Sequence, residues 1–159
     1  MKKKIAILGS TGSIGKSTLE VIKKDKKNFD VILLSAKNNY KKLVKQAKEF
    51  KAKNILIKNQ NLFEKTKKLV NKKKIKVFSG DVPLKKIYSA KIDFTMSAVV
   101  GIAGLQPTVD AIKVSKTVAL ANKESIICAW NLIEKKLLKN RTKFIIMIMS
   151  KSPNCFSIL

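Results

Sequence analysis

The chain has 159 residues, enough for one domain with a sizeable core, and a formal charge of +25 from 35 Lys and Arg against 10 Asp and Glu. Such an excess normally points to nucleic acid, yet Arg141 is the single arginine and the lysines scatter through every predicted helix and loop, which argues against a nucleic-acid reader built on arginine forks. Two cysteines, Cys128 and Cys155, with no histidine exclude zinc sites and Cys/His nucleophiles and fit a reduced cytoplasm.

In chain order, Met1-Lys2-Lys3-Lys4 looks like the start of an export signal, but the apolar stretch Ile5 to Leu8 stops at the first glycine and reads as a buried strand. No apolar run approaches the ~20 residues of a membrane span, so no membrane partner is expected. Short apolar runs then alternate with lysine-rich amphipathic stretches, the pattern of βαβ units. Strands are predicted at Lys4–Leu8, Val31–Ala36, Asn54–Ile57, Lys76–Phe78, Phe94–Ser97, Thr117–Leu120 and Lys143–Ile146. Helices are predicted at Ile14–Lys24, Tyr40–Phe50, Asn61–Asn71, Leu105–Val114 and Lys123–Leu138. The Tyr40 helix gathers Leu43, Val44, Ala47 and Phe50 on one apolar face, as packing on a sheet requires. Lys72-Lys73-Lys74 reads as a solvated loop. The expected fold class is α/β, a Rossmann-like doubly wound, mostly parallel sheet with helices on both faces.

Strand Ile5–Leu8 runs directly into Gly9-Ser10-Thr11-Gly12-Ser13-Ile14-Gly15 and then a helix. Glycines at a strand-to-helix turn let the backbone approach a pyrophosphate, whose charge the helix start favours. A P-loop is the rival reading, because Gly15-Lys16-Ser17 reproduces the end of that motif. Its first glycine would have to stand at position 10, which is Ser10. A P-loop phosphotransferase therefore stays behind as the alternative, with a charge-driven nucleic-acid binder third.

After the second strand, where an NAD enzyme places a carboxylate for the ribose hydroxyl, stand Lys37, Asn38 and Asn39. A lysine with amides suits a 2′-phosphate, so NADPH is the expected cofactor. A second constellation, Ala121-Asn122-Lys123-Glu124-Ser125, follows strand Thr117–Leu120 and opens the last helix. Asn122 reads as a helix cap and Glu124 as a first-turn acid; both also stand at a carboxyl strand end, where open α/β sheets bind ligands.

Three motifs in this order resemble the 1-deoxy-D-xylulose 5-phosphate reductoisomerase family: Ile7-Leu-Gly-Ser-Thr-Gly-Ser-Ile-Gly15, Ser97-Ala-Val-Val-Gly-Ile-Ala-Gly-Leu105 before Pro107-Thr108, and Leu120-Ala-Asn-Lys-Glu-Ser125. The resemblance covers residues 1 to about 145 and implies an NADPH-dependent enzyme of the non-mevalonate isoprenoid route, cytoplasmic and homodimeric. It implies that Thr11, Gly12, Ser13 and Ile14 hold the pyrophosphate, and Lys37, Asn38 and Asn39 the adenosine 2′-phosphate side. Asn122 and Glu124 would meet the nicotinamide end, and Lys123 the sugar phosphate substrate. The family also uses a divalent metal, Mn or Mg, held partly by a Pro-Val-Asp-Ser-Glu-His segment after the last strand. Here Ser152, Pro153, Asn154 and Cys155 stand at the Asp, Ser, Glu and His positions, and Ile146 to Leu159 contains no Asp or Glu. The expectation is a cofactor domain over 1–145 followed by an aberrant tail over 146–159, a fragment without catalytic residues or metal ligands and inactive by itself.

Overall fold

Ile5, Ala6, Ile7 and Leu8 are each buried, a run that only a strand covered on both faces can hide. They lie in β1 (Lys3–Leu8), near the middle of the sheet. The computed structural model describes residues 1–70, 74–88, 90–121, 123–149 and 156–158. From β1 the chain moves outward through α1 (Ser13–Lys24), β2 (Phe29–Ala36), α2 (Tyr40–Glu49), β3 (Asn54–Ile57), α3 (Phe63–Leu69) and β4 (Lys76–Ser79). It returns by α4 (Leu84–Ile87) to β5 (Ile92–Ser97) on the other side of β1. There it continues through α5 (Leu105–Val114), β6 (Ser115–Leu120), α6 (Lys123–Asn140), β7 (Lys143–Met149) and β8 (Phe156–Ile158).

The strand order is β4-β3-β2-β1-β5-β6-β7-β8, parallel throughout except that β8 lies antiparallel on β7. α1 and α2 cover one face, burying Leu19, Ile22, Leu43, Val44 and Ala47 in one core with Ile7, Leu34, Ile55 and Ile57 of the sheet. α4 to α6 cover the other, where Leu84, Ala111, Ile112 and Ile133 join Leu8, Leu33, Leu56 and Val118. Each buried Leu, Ile or Val side chain contributes about 1.5–3 kcal/mol. Beside α1 the first face stays open. Val21, Ile22, Phe94, Met96 and Met147 line an apolar groove of about 410 Å³ there.

Every predicted strand and helix is present, with shifts that have local causes. α3 begins at Phe63 because Gln60–Leu62 forms a 3₁₀ turn, with the Asn59 side chain accepting from the Asn61 N–H. α6 is interrupted at Ala129, whose φ of −148° is not helical. α4, only four residues long, is too short for periodicity to register. The strand predicted to end at Ile146 continues to Met149, and Met147 pairs with Ile158, so residues on both sides of position 145 share one sheet. Of the Lys72-Lys73-Lys74 run, Lys74 is exposed and the other two lie outside the described residues, as does Asn71.

Candidate functional site

The chain reverses its direction of travel across the sheet between β1 and β5, and doubly wound sheets bind ligands at the carboxyl ends of such a pair. Leu8 pairs with Ser97, and the Ala98 N–H donates to the Leu8 carbonyl at 2.9 Å, so the two loops leave side by side. Gly9 has φ +80°, and a Cβ there would stand 2.7 Å from the Ala98 carbonyl oxygen. Gly15 is equally constrained from within. A Cβ on it would meet the Gly9 oxygen at 2.4 Å and the Ser10 Cα at 2.5 Å, so this glycine lets α1 press against its own loop.

Gly12 is different. Its φ of −74° suits any residue, and a Cβ would meet nothing closer than the Gly9 oxygen at 3.4 Å. Internal packing therefore does not explain it; what the missing side chain leaves is open space in front of α1. No side chain caps that helix and its first turn carries no acid. The first N–H groups of an uncapped helix are orphan donors with a partial positive charge, which suits a phosphate. Thr11 and Ile14 are half-buried and Gly12 and Ser13 exposed, so the proposed cradle is open to a ligand.

What holds the loop in place is a network that sequence patterns did not disclose. The Gly9 N–H donates to Ser35 Oγ at 3.1 Å, and the Ser10 N–H to the Ser35 carbonyl at 2.8 Å. Buried Ser10 donates its hydroxyl to Gln46 Oε1 at 2.9 Å, while Gln46 Nε2 donates back to the Ser10 carbonyl at 2.9 Å. Gln46 interrupts the apolar face of α2 between Leu43 and Ala47. A polar residue on such a stripe was the one signal that could have marked it.

Lys37, Asn38 and Asn39 leave β2 on the same edge of the sheet and are exposed. Asn39 caps α2 through its Oδ1, which accepts from the Lys42 N–H at 3.2 Å, and Asn38 Oδ1 accepts from Asn59 Nδ2 at 3.0 Å. Their amide oxygens serve the fold and their NH₂ groups are the ends left for a ligand. Lys16 of α1 and Lys42 of α2 are near enough to interact electrostatically. The Lys16 ammonium first, and burial second, hold the Lys42 ammonium below its ordinary value.

At β5 and β6, the Ala121 N–H donates to the Ser97 carbonyl at 3.1 Å, which sets the segment after β6 beside the β5 loop. Ser97 Oγ shares a 2.8 Å hydrogen bond with Thr108 Oγ1, which also donates to the Gly104 carbonyl and fixes the turn into α5. Asn122 lies outside the described residues. Of Lys123 and Glu124 the backbone alone is described, in the first turn of α6. The P-loop alternative finds no help here: Ser17, which that motif would direct at a magnesium ion, donates its hydroxyl to the Ser13 carbonyl of its own helix at 3.2 Å.

These features define a doubly wound α/β domain with a phosphate-accepting helix start at its switch point, the class of nucleotide-cofactor domains. Homoserine dehydrogenase from S. aureus, 18% identical with a TM-score of 0.52, shares this fold alone. The family model for 1-deoxy-D-xylulose 5-phosphate reductoisomerase matches residues 5–130, and the chain belongs to that family. The reductoisomerase of Pelagibacter ubique is 54% identical over 145 residues, which are 90% of this chain and 37% of that protein. The enzyme from Caldanaerobacter subterraneus is 41% identical over 143 residues, with 90% and 37% covered. Among solved structures, the Zymomonas mobilis reductoisomerase in complex with NADPH superposes with a TM-score of 0.86 at 35% identity, covering 92% of this chain and 39% of that one. A reductoisomerase in complex with NADPH, fosmidomycin and magnesium gives 0.83 at 32% identity, covering 91% and 36%. The chain thus spans under two-fifths of the length of these relatives.

Magnesium needs oxygen donors, carboxylates above all. Among the described residues no three of His, Cys, Asp and Glu come together, and Ser152, Pro153, Asn154 and Cys155 lie outside them. The described donor set does not fit a divalent ion.

Proposed function

We propose that this chain binds NADPH as the cofactor half of a 1-deoxy-D-xylulose 5-phosphate reductoisomerase, the enzyme that forms 2-C-methyl-D-erythritol 4-phosphate in the cytoplasm. The observation that carries the reading is Gly12: it stands before an uncapped helix start, at the switch point, where nothing inside the protein requires a glycine. Thr11, Gly12, Ser13 and Ile14 receive the pyrophosphate through main-chain N–H groups. Lys37 and the NH₂ groups of Asn38 and Asn39 receive the 2′-phosphate side. The family pattern assigns Asn122 and Glu124 to the nicotinamide end and Lys123 to the sugar phosphate, and in support the Ala121–Ser97 hydrogen bond sets the segment that leads to them beside the β5 loop. When bound, the cofactor supplies a hydride. The chain's own part is to bind and orient it, and this reading assigns cofactor binding, not turnover or dimer formation, to residues 1–159.

Calorimetric titration tests the reading. NADPH should bind more tightly than NADH, each tenfold preference being about 1.4 kcal/mol, and ATP should bind weakest. Equal affinity for the two dinucleotides would refute the 2′-phosphate assignment, and preference for ATP would restore the P-loop alternative.

A further inference from the structure

Side chains alternate along β5, and its two sides meet different surroundings. Ser97, bonded to Thr108 of α5, and Thr95 lie on the face that α4 to α6 cover. The large apolar residues, Phe94 and Met96, lie on the other face with α1. There α1, α2 and α3 serve β1 to β4, and among the described residues no helix lies over β5, β6 and β7. Strands of a parallel sheet are normally covered on both faces, so the apolar side of β5 is turned toward a cover this chain does not provide. The uncovered half is the groove of about 410 Å³, with α1 as one wall and Met147 of β7 at the other. Val21 on the α1 wall is 60% exposed, and Ile14, Phe94 and Met147 are half-buried. Between β5 and β7, β6 brings only small residues to this side, Ala119 in the core and Ala121 on the lining, which leaves room between Phe94 and Met147.

The gap has the width of one helix. Packed helices stand about 8–10 Å apart, which is two strand spacings of about 4.8 Å, so a neighbour of α1 lies over β5 and β6. Toward that place α1 presents Ile14, Ser17, Thr18 and Val21, a stripe at i, i+3, i+4 and i+7 of the kind one helix offers another. A second copy of the chain does not complete the gap in a closed pair: a two-fold contact sets one patch against itself, and a groove facing a groove leaves a void. The relatives supply a different occupant, because this chain matches only 37% to 39% of their length and most of each relative is chain that it does not contain. We infer that the groove seats one amphipathic helix, about as long as α1 and apolar toward α1 and β5, from the part of the reductoisomerase polypeptide that lies outside these 159 residues. The first face of the sheet is complete only with that helix in place.

This inference stands on the family membership and not on the cofactor reading, so either can fail without the other. The test compares the chain as it is with a fused chain in which its residues 1–145 run on into the unmatched remainder of the Pelagibacter ubique relative. Val21→Cys reports on the groove, and Lys65→Cys, exposed on α3 at the far side of the sheet, serves as the control. Thiol labelling is followed by peptide mass spectrometry, which separates these sites from Cys128 and Cys155, with circular dichroism to confirm folding and sedimentation to give the oligomeric state. Val21→Cys should label rapidly in the chain alone and at least about tenfold more slowly in the fused chain, while Lys65→Cys labels at one rate in both. Equal labelling of Val21→Cys in the two chains would overturn the inference. Slow labelling in the chain alone, with sedimentation as a dimer, would make a second copy the occupant and overturn it as well. Protection of both sites in the fused chain, or a fused chain that does not fold, would equally show that the groove is not the seat of that helix.

Discussion

Gly12 and Gly15 look interchangeable in the motif, and substituting each by alanine separates what the loop needs for folding from what it needs for its ligand. In Gly15→Ala the new methyl would start 2.4 Å from the Gly9 carbonyl oxygen and 2.5 Å from the Ser10 Cα. Both are main-chain atoms, and Ser10 is pinned by Ser35 and Gln46, so α1 must move outward from the sheet. Overpacking of this kind costs about 1–3 kcal/mol. For a domain of this size each kcal/mol lowers Tm by about 2–4 °C, giving a fall of roughly 2–12 °C. In Gly12→Ala the methyl meets only one oxygen at 3.4 Å at an ordinary φ, so Tm should stay within about 2 °C of the parent. NADPH affinity, by contrast, should fall at least about tenfold in Gly12→Ala, because the methyl projects where the phosphate must approach. Thermal unfolding followed by circular dichroism gives the first quantity and calorimetry the second. A Gly15→Ala protein as stable as the parent would refute the packing argument. Undiminished NADPH binding in folded Gly12→Ala would refute the cradle.

Gln46→Ala should cost about 1–3 kcal/mol in urea unfolding, since it strands the buried Ser10 carbonyl; an unchanged midpoint would show that the loop is not held by this residue. Asp93 accepts from Lys116 Nζ at 2.8 Å and from the Lys4 N–H at 2.9 Å, and these partners, Lys116 first, hold its carboxyl below the ordinary range. A depressed folded-state value means that its stabilisation is complete above the ordinary carboxylate value and is lost as pH falls through the folded one. Asp93→Asn should therefore unfold at lower urea than the parent at pH 7, with the gap closing as both are acidified. A gap that widens in acid would reverse the sign of the argument.

Much of this protein was legible from local pattern alone. Buried strands such as Ile5–Leu8 and amphipathic helices such as Tyr40–Glu49 announce themselves because burial on two faces or on one imposes a composition that neighbours in sequence must share. The position of Gly9 to Gly15 between strand and helix, and of Ala121 to Glu124 after β6, likewise followed from chain order, and with them the edge of the sheet where a ligand belongs. The sequence could not say which glycine serves which purpose. Gly12 and Gly15 are the same residue in the same motif, and they differ only in what lies opposite an absent Cβ. Nor could it show that Gln46 reaches Ser10, 36 positions earlier. Strand order brings that pair together: β2 beside β1 places α2 against the loop that leads into α1, and proximity across the sheet is a property of the packed chain, not of any stretch of it.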